Sequence, residues 1–453
     1  MGRLFGTDGV RGIANSELTA ELAFNLGAAS VCALGIERER PVFLIGRDTR
    51  VSGDMLRDAI SAGILSMGGD VINTGVLPTP AVAYLVRRYR ADAGVVISAS
   101  HNLFEYNGIK LFNSAGFKLD DAIEDGIERV IADRAANRAG ASGRVVGAGL
   151  GRSTERAADA LRDYVDFLKD SVDISLRGVK LVVDCANGAA KAAAEAVFGE
   201  LGAELHMLGD KPDGLNINDG CGSTRPENMA KHVVECGADL GLAFDGDADR
   251  LIAADEKGRL MDGDRIMYIC ASMLKTCGVL KDNLVTATVM SNLGLKKALE
   301  RIGCALQITA VGDRYVLERM LKTGSVLGGE QSGHIIFLER GTTGDGILAA
   351  LQLIKAILRS EKKASESADL VTVYPQVLRN AVVKSGNRGR YAEDSAIRAE
   401  IARIEKFMAG DGRVLIRPSG TEPLVRVMIE GGDADAITRM ADDLAEMIET
   451  KFG

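Results

Sequence analysis

Gly94-Val-Val-Ile-Ser-Ala-Ser-His-Asn102 joins a short unbroken apolar run to a polar loop without an intervening charge. A run of that length, rich in β-branched residues, predicts a strand buried on both faces, as in a parallel sheet. Upstream, helical and strand patterns alternate. Thr19 caps a helix carrying Leu22, Phe24, Leu26, Ala29 and Ala33, with Gly35 at its end. Pro41-Val-Phe-Leu-Ile45 predicts a strand closed by the turn Gly46-Arg-Asp-Thr-Arg50, and Ser52 caps a helix running to Leu65. A strand at Val71-Ile72 and a helix from Pro80 to Arg90 lead back to Gly94. This alternation implies βαβ units and an α/β class.

The rhythm restarts twice. Val179–Asp184 and Ala238–Phe244 predict strands around a helix from Ala189 to Phe198. A third block has a helix from Arg265 to Lys275, the strand Leu284–Thr288 and a helix ending near Leu358. The tail differs, with strands at Val371–Tyr374, Val414–Arg417 and Leu424–Glu430 and a terminal amphipathic helix from Asp435 to Lys451. Linkers are expected at Ala139–Ser153 and Ser360–Asp369. A chain of 453 residues exceeds one core. We therefore expect four domains: 1–150, 151–255, 256–368 and a smaller α+β domain at 369–453.

Composition narrows the function. Aromatics are 4% with no Trp, which argues against stacking platforms for single-stranded nucleic acid. A net charge of -8 argues against general attraction to nucleic acid or anionic membranes. An anionic ligand would then need local basic clusters. Seven cysteines without a C-x-x-C pair, no apolar signal at the N-terminus and no run of membrane-spanning length predict a reduced, cytoplasmic protein.

Four loops carry chemistry. Ser98-Ala-Ser-His-Asn102 lies beyond the carboxyl end of a strand, where ligands sit in parallel sheets. Ser100 could carry a phosphoryl group there, with His101, Asn102 and Lys110 as polar neighbours, although an ordinary turn would use the same residue types. Asp245-Gly-Asp-Ala-Asp-Arg250 places three carboxylates at alternate positions, a set for a hard cation. An EF-hand would put Glu256 twelfth but needs glycine where Arg250 stands, so magnesium sharing a phosphate oxygen fits better. Gly328-Gly-Glu-Gln-Ser-Gly-His334 offers hydrogen-bonding groups for a polyhydroxylated ligand. Arg417-Pro-Ser-Gly-Thr-Glu-Pro423, with Arg426 nearby, has the donors of an anion cradle stiffened by two prolines. Together they describe phosphoryl transfer on a sugar phosphate.

With these motifs in this order, and with Phe5-Gly-Thr-Asp-Gly-Val-Arg-Gly12 at the start, the chain resembles the α-D-phosphohexomutase superfamily over its whole length. The opening motif from Arg3 and Gln331 are similar to the branch acting on glucosamine phosphates. The resemblance implies three related α/β mixed-sheet domains and a smaller α+β C-terminal domain around a central cleft. It implies a phosphoserine at Ser100, and magnesium held by Asp245, Asp247, Asp249 and the Ser100 phosphate. Glu330 and Ser332 would select the sugar, while Arg417, Ser419, Gly420, Thr421 and Arg426 would bind its non-reacting phosphate. Arg11, Lys110, Arg250 and His334 match positions for charge stabilisation or proton transfer, Lys110 being the first choice as proton shuttle and His334 the second. The implied reaction interconverts glucosamine 6-phosphate and glucosamine 1-phosphate through a 1,6-bisphosphate, in a monomer or homodimer. The alternatives are a phosphoglucomutase/phosphomannomutase or a non-catalytic sugar-phosphate-binding protein. One departure is Leu103, where most relatives carry proline; a more mobile loop is expected.

Overall fold

The computed structural model describes residues 4–6, 8–34, 38–135, 145–419 and 422–453. They form two compact units, Met1–Thr288 with Gln307–Asp369, and Val289–Leu306 with Leu370–Gly453.

The first unit holds α/β sheets. In the six-stranded sheet the order is Val10–Ile13, Tyr106–Asn113, Ala93–Ile97, Val42–Arg47, Asp70–Val76, Ser153–Glu155. Ala93–Ile97 is buried along its whole length, as its apolar run requires. It pairs parallel with Val42–Arg47 but antiparallel with Tyr106–Asn113, so the sheet is mixed. That reversal is what returns Lys110 to the strand end bearing Ser100, since Lys110 pairs with Val96. Helices Ala20–Ala33 and Gly53–Ser66 pack on the sheet through Leu26, Leu56, Ile60 and Ile64. Thr19 accepts from Leu22 N as a cap, whereas Ser52 makes no cap bond and its hydroxyl accepts from Asn107 instead.

A five-stranded sheet follows, ordered Leu260–Met261, Leu251–Asp255, Leu240–Phe244, Lys180–Asp184, Glu204–Leu208. The third sheet has four short strands, ordered Ala305–Thr309, Leu284–Thr288, Leu327–Gly329, Ile335–Phe337. Its helix Gly346–Ser360 is capped by Asp345 and buries Ile347, Leu348, Leu351 and Ile354.

The second unit contains an antiparallel sheet, Gln376–Val382, Leu424–Gly431 and Gly412–Pro418, covered by helices Ser395–Met408 and Ala434–Phe452. Three α/β sheets with a smaller α+β unit are the expected fold class. Several local expectations shift. Gly46 and Arg47 belong to the strand rather than to the turn after it. Val371–Tyr374 is not a strand; the tail's first strand begins at Gln376, after Pro375, which has no N–H to donate. The segment Ser360–Asp369 contains the short helix Ala364–Ala368, and Gly147–Gly149 forms a helical turn. Gly35 and residues 139–144 of the expected first linker lie outside the described residues. No helix among the described residues is long and apolar enough to cross a membrane.

Candidate active site

Ser100 follows the buried strand Ala93–Ile97 and takes a left-handed backbone, with φ of 53°. A non-glycine residue there costs roughly 1–3 kcal/mol and persists only when its surroundings over-determine it. They do. Arg50, itself fully buried, donates to the carbonyls of Ser100 at 3.0 Å, Asn102 at 2.8 Å and Tyr106 at 3.1 Å, and also to that of Leu103. Asn218 adds bonds to the Ser100 and Asn102 carbonyls at 2.9 Å each. Asp48 holds the Arg50 guanidinium at 2.9 Å and accepts from Ser98 Oγ at 2.6 Å, while Ser98 Oγ in turn accepts from Ser100 N. The carbonyl of Leu103 is thus held by Arg50.

The result aims Ser100 Oγ at Asp245 Oδ2, 2.6 Å away. Asp245, Asp247 and Asp249 follow the end of the strand Leu240–Phe244, all three are buried, and one oxygen of each lies within 4.8 Å of the others. Gly246 lets the two loops meet: a Cβ there would lie 2.6 Å from the Ser100 carbonyl oxygen and 2.8 Å from Asn218 Nδ2. Burial, then the charges of Asp249 and Asp247, push the Asp245 carboxyl well above its usual range. Asp247 Oδ1 and Asp249 Oδ1 are buried and find no hydrogen-bond donor among the described residues. Converging carboxylates with orphaned oxygens fit a hard divalent cation, and the donor set is oxygen only.

Lys110 is buried beside them, its Nζ 2.9 Å from Asp247, 3.2 Å from Asp8 and 3.8 Å from Asp249. Burial alone would lower its pKa, but the charges of Asp247, Asp8 and Asp249 outweigh burial and raise it. Burial would likewise raise Asp247, but Lys110 and a 2.6 Å bond from Thr79 hold it low. Asp8 is gripped by Lys118 and Arg11, and Lys118 also reaches Asp313 at 2.6 Å.

Arg250 donates its backbone N–H to Asp245, and its side chain lies 3.8 Å from Asp249. A β-bridge joins it to His334. Gly344 N–H donates to His334 Nε2 at 3.2 Å, leaving Nδ1 buried with no partner among the described residues. A nearer imidazole is His101, whose Nδ1 stands 3.3 Å from Ser100 Oγ and whose pKa is lowered by burial, then by Arg250 and Arg11.

In the Glu330 loop, Glu330 accepts from Gly312 N at 3.1 Å and Ser332 is exposed. Gln331 donates its side-chain amide to Asp262 at 3.2 Å, and its carbonyl accepts from Gly263. Its side chain therefore braces the cap of helix Gly263–Thr276. In the second unit, Arg417 and Arg426 face each other across adjacent strands. Burial and then Arg426 lower the Arg417 pKa. Like charges directly opposite destabilise a sheet unless an anion joins them. Ser419 is buried and its hydroxyl accepts from Glu422 N. Gly420 and Thr421 lie outside the described residues.

The structure thus adds Asp8, Asp48, Arg50, Thr79, Lys118, Asn218 and Asp313 to the residues the sequence marked. The only sequence signal for Arg50 is its position: it lies in the polar turn after the strand Val42–Arg47, at the same end of the sheet as the loop that follows the parallel neighbour Ala93–Ile97. Arg50→Lys keeps the charge but loses the planar fork. We expect kcat to fall about 100-fold, the scale of an ångström-sized misplacement of a catalytic group. Steady-state kinetics beside a denaturation midpoint would separate this from unfolding; unchanged kcat would remove Arg50 from loop positioning.

Comparison with known proteins agrees along the chain. Residues 2–138, 162–258 and 262–374 match phosphoglucomutase/phosphomannomutase alpha/beta/alpha domains I, II and III, and residues 353–447 match the C-terminal domain of the same family. Phosphoglucosamine mutase of Thermoanaerobacter sp. strain X514 is 55% identical over 452 residues, covering 100% of each chain. That of Clostridium novyi is 54% identical over 451 residues, covering 100% of this chain and 99% of the relative. Among solved structures, a phosphoglucomutase/phosphomannomutase family protein of Burkholderia thailandensis superposes with a TM-score of 0.80 at 24% identity, covering 100% of this chain and 98% of that one. From strand order to full-length identity, the chain belongs to the phosphoglucomutase/phosphomannomutase family.

Proposed function

We propose that the chain interconverts glucosamine 6-phosphate and glucosamine 1-phosphate, with Ser100 carrying the phosphoryl group between turnovers. As a phosphohexomutase it is an isomerase, whose substrate and product differ in which sugar hydroxyl carries the phosphate. The observation that carries the reading is the Ser100 hydroxyl held against three buried carboxylates. The sugar rests on the full-length similarity to phosphoglucosamine mutases.

In the first half-reaction the bond between phosphorus and the Ser100 oxygen breaks as one forms to the free sugar hydroxyl. The hydroxyl proton leaves to an imidazole of the site, His334 or, by its distance to Ser100 Oγ, His101; Lys110, the first expectation for this role, is held in its charged form by Asp247, Asp8 and Asp249. In the second half-reaction a bond forms from the Ser100 oxygen to the other phosphorus of the resulting 1,6-bisphosphate as that phosphorus parts from its sugar oxygen, which takes back the proton and leaves as the product hydroxyl. Magnesium held by Asp245, Asp247 and Asp249 would offset charge on the transferring group. Magnesium and GlcNAc-6P occur together in a solved structure of Aspergillus fumigatus N-acetylphosphoglucosamine mutase, whose fold this chain shares with a TM-score of 0.63, at 17% identity and covering 99% of this chain and 96% of that one. Lys110 and Arg250 provide fixed positive charge, and Arg11 holds Asp8 in place. Glu330 and Ser332 bind the sugar hydroxyls. Arg417, Ser419, Gly420, Thr421 and Arg426 take the phosphate that does not react.

Arg417→Ala should raise KM about 10- to 100-fold with a smaller change in kcat, the scale of a lost charged hydrogen bond. Unchanged KM would exclude Arg417 from phosphate binding. The substrate is tested by parallel assays on glucosamine, glucose and mannose 1-phosphates. The proposal expects the highest kcat/KM for the glucosamine compound; a higher value for glucose or mannose would replace it with the phosphoglucomutase or phosphomannomutase reading.

A further inference from the structure

The five-stranded sheet carries a side-chain cluster that the phosphoryl chemistry does not use. His206 sits at the centre of the edge strand Glu204–Leu208, and His232 and Cys236 stand on helix Glu227–Cys236. Their four-residue spacing puts both on one helix face, one turn apart. The two imidazoles meet edge-on with centroids 6.0 Å apart. One ligand atom from each of His206, His232 and Cys236 lies within 4.8 Å of the others. The chain has only four histidines, and the other two flank the phosphoserine site, so this pairing is not a product of abundance.

The surroundings suit a metal with one open position. Cys236 packs against an apolar floor of Val182, Met229 and Val233. The histidines are about one-third exposed, at 33% and 36%, so solvent reaches the outer side. Glu204 Oε1 lies 3.4 Å from His206 Nε2, and Glu235 Oε2 lies 3.5 Å from His232 Nδ1. Carboxylates at that distance orient metal-binding imidazoles or supply a further ligand. Lys180 takes up Glu204 at 3.1 Å and the more exposed Lys231 takes up Glu235 at 3.4 Å, so Glu235 is the more readily freed fourth ligand. Two ring nitrogens and a thiolate prefer zinc-like ions, whereas the all-oxygen trio at Asp245 prefers magnesium.

We infer that His206, His232 and Cys236 form a transition-metal site of the zinc class, with water or Glu235 in the fourth position. Binding replaces the Cys236 S–H bond with a sulfur–metal bond and releases the proton to solvent. Tetrahedral ligation brings the donors to separations of roughly 3.3–3.8 Å, which these half-buried side chains reach by rotation. The ion would tie the helix to the sheet's edge strand. Cys236 precedes the strand Leu240–Phe244 and Asp245 follows it, so the strand places about 17 Å between the two sites. The expected effect is therefore on stability and not on turnover.

The test uses the full chain, stripped by chelation, with excess magnesium to fill the carboxylate trio and cobalt(II) as the anaerobic probe. One equivalent of cobalt per chain should produce thiolate-to-cobalt charge-transfer absorption with intense tetrahedral d–d bands. Cys236→Ser should lose the charge-transfer absorption while keeping mutase turnover. His232→Asn, which retains the thiol, should weaken cobalt binding at least tenfold, about the loss caused by removing even an outer-shell partner. Zinc should raise the thermal midpoint of the unsubstituted protein and not that of Cys236→Ser. No thiolate band at one equivalent, or a band that persists in Cys236→Ser, would overturn the inference.

Discussion

Ser100→Ala is expected to lower turnover of glucosamine phosphates by about 10⁴-fold or more, the scale of losing a covalent nucleophile. The substitution removes one oxygen and its 2.6 Å bond to Asp245 but leaves the backbone carbonyl that Arg50 and Asn218 hold. The loop should therefore keep its place and the thermal midpoint should move little. Binding of a 1,6-bisphosphate should survive, because Lys110, Arg250 and the Arg417 pair remain. Near-normal turnover in this variant would sink the phosphoserine assignment.

Exhaustive chelation should take activity to background, and magnesium should restore it. Charge is the reason. Asp245, Asp247 and Asp249 converge in a buried space where Lys110 Nζ reaches Asp247 and Asp249 and is shared with Asp8. A transferring phosphoryl group brings further negative charge to Ser100, which Lys110 and Arg250 cannot offset alone. Asp247→Asn should reproduce the loss with magnesium present, by about 100-fold or more in kcat, the scale of losing one preorganised electrostatic group. Activity that persists after chelation would show that the carboxylates serve the loop's structure only.

Much of this was legible in the sequence because the chemistry sits where strands end. Gly94–Ile97 and Leu240–Phe244 are apolar and end abruptly in polar loops, and that discontinuity marks Ser100 and the Asp245 trio. Less legible was what holds the loops. Arg50 reads as one charge in a turn, and its bonds go to carbonyls some 50 residues away in sequence. The antiparallel strand Tyr106–Asn113 escaped the parallel pattern because nothing local distinguishes the direction of a strand. Helix Ser395–Met408 was missed although Asp394 caps it, since its exposed face is rich in charge and only Ile397, Ile404 and Met408 are buried. His206 and the His232–Cys236 pair are separated by 26 residues and come together only when the helix packs beside its sheet. Gln331 shows the converse: expected from the resemblance to bear on the sugar, its side chain is engaged with Asp262, so it shapes the loop that holds Glu330 and Ser332.

The central claim is that Ser100 carries the phosphoryl group in turnover. Tandem mass spectrometry of the peptide containing Ser100, before and after addition of glucosamine 6-phosphate, tests it directly. The account predicts stoichiometric phosphate on Ser100 in the active protein, lost to glucosamine 6-phosphate and regained from a supplied 1,6-bisphosphate. Full turnover by protein carrying no phosphate on Ser100, or carrying it on another residue, would contradict it.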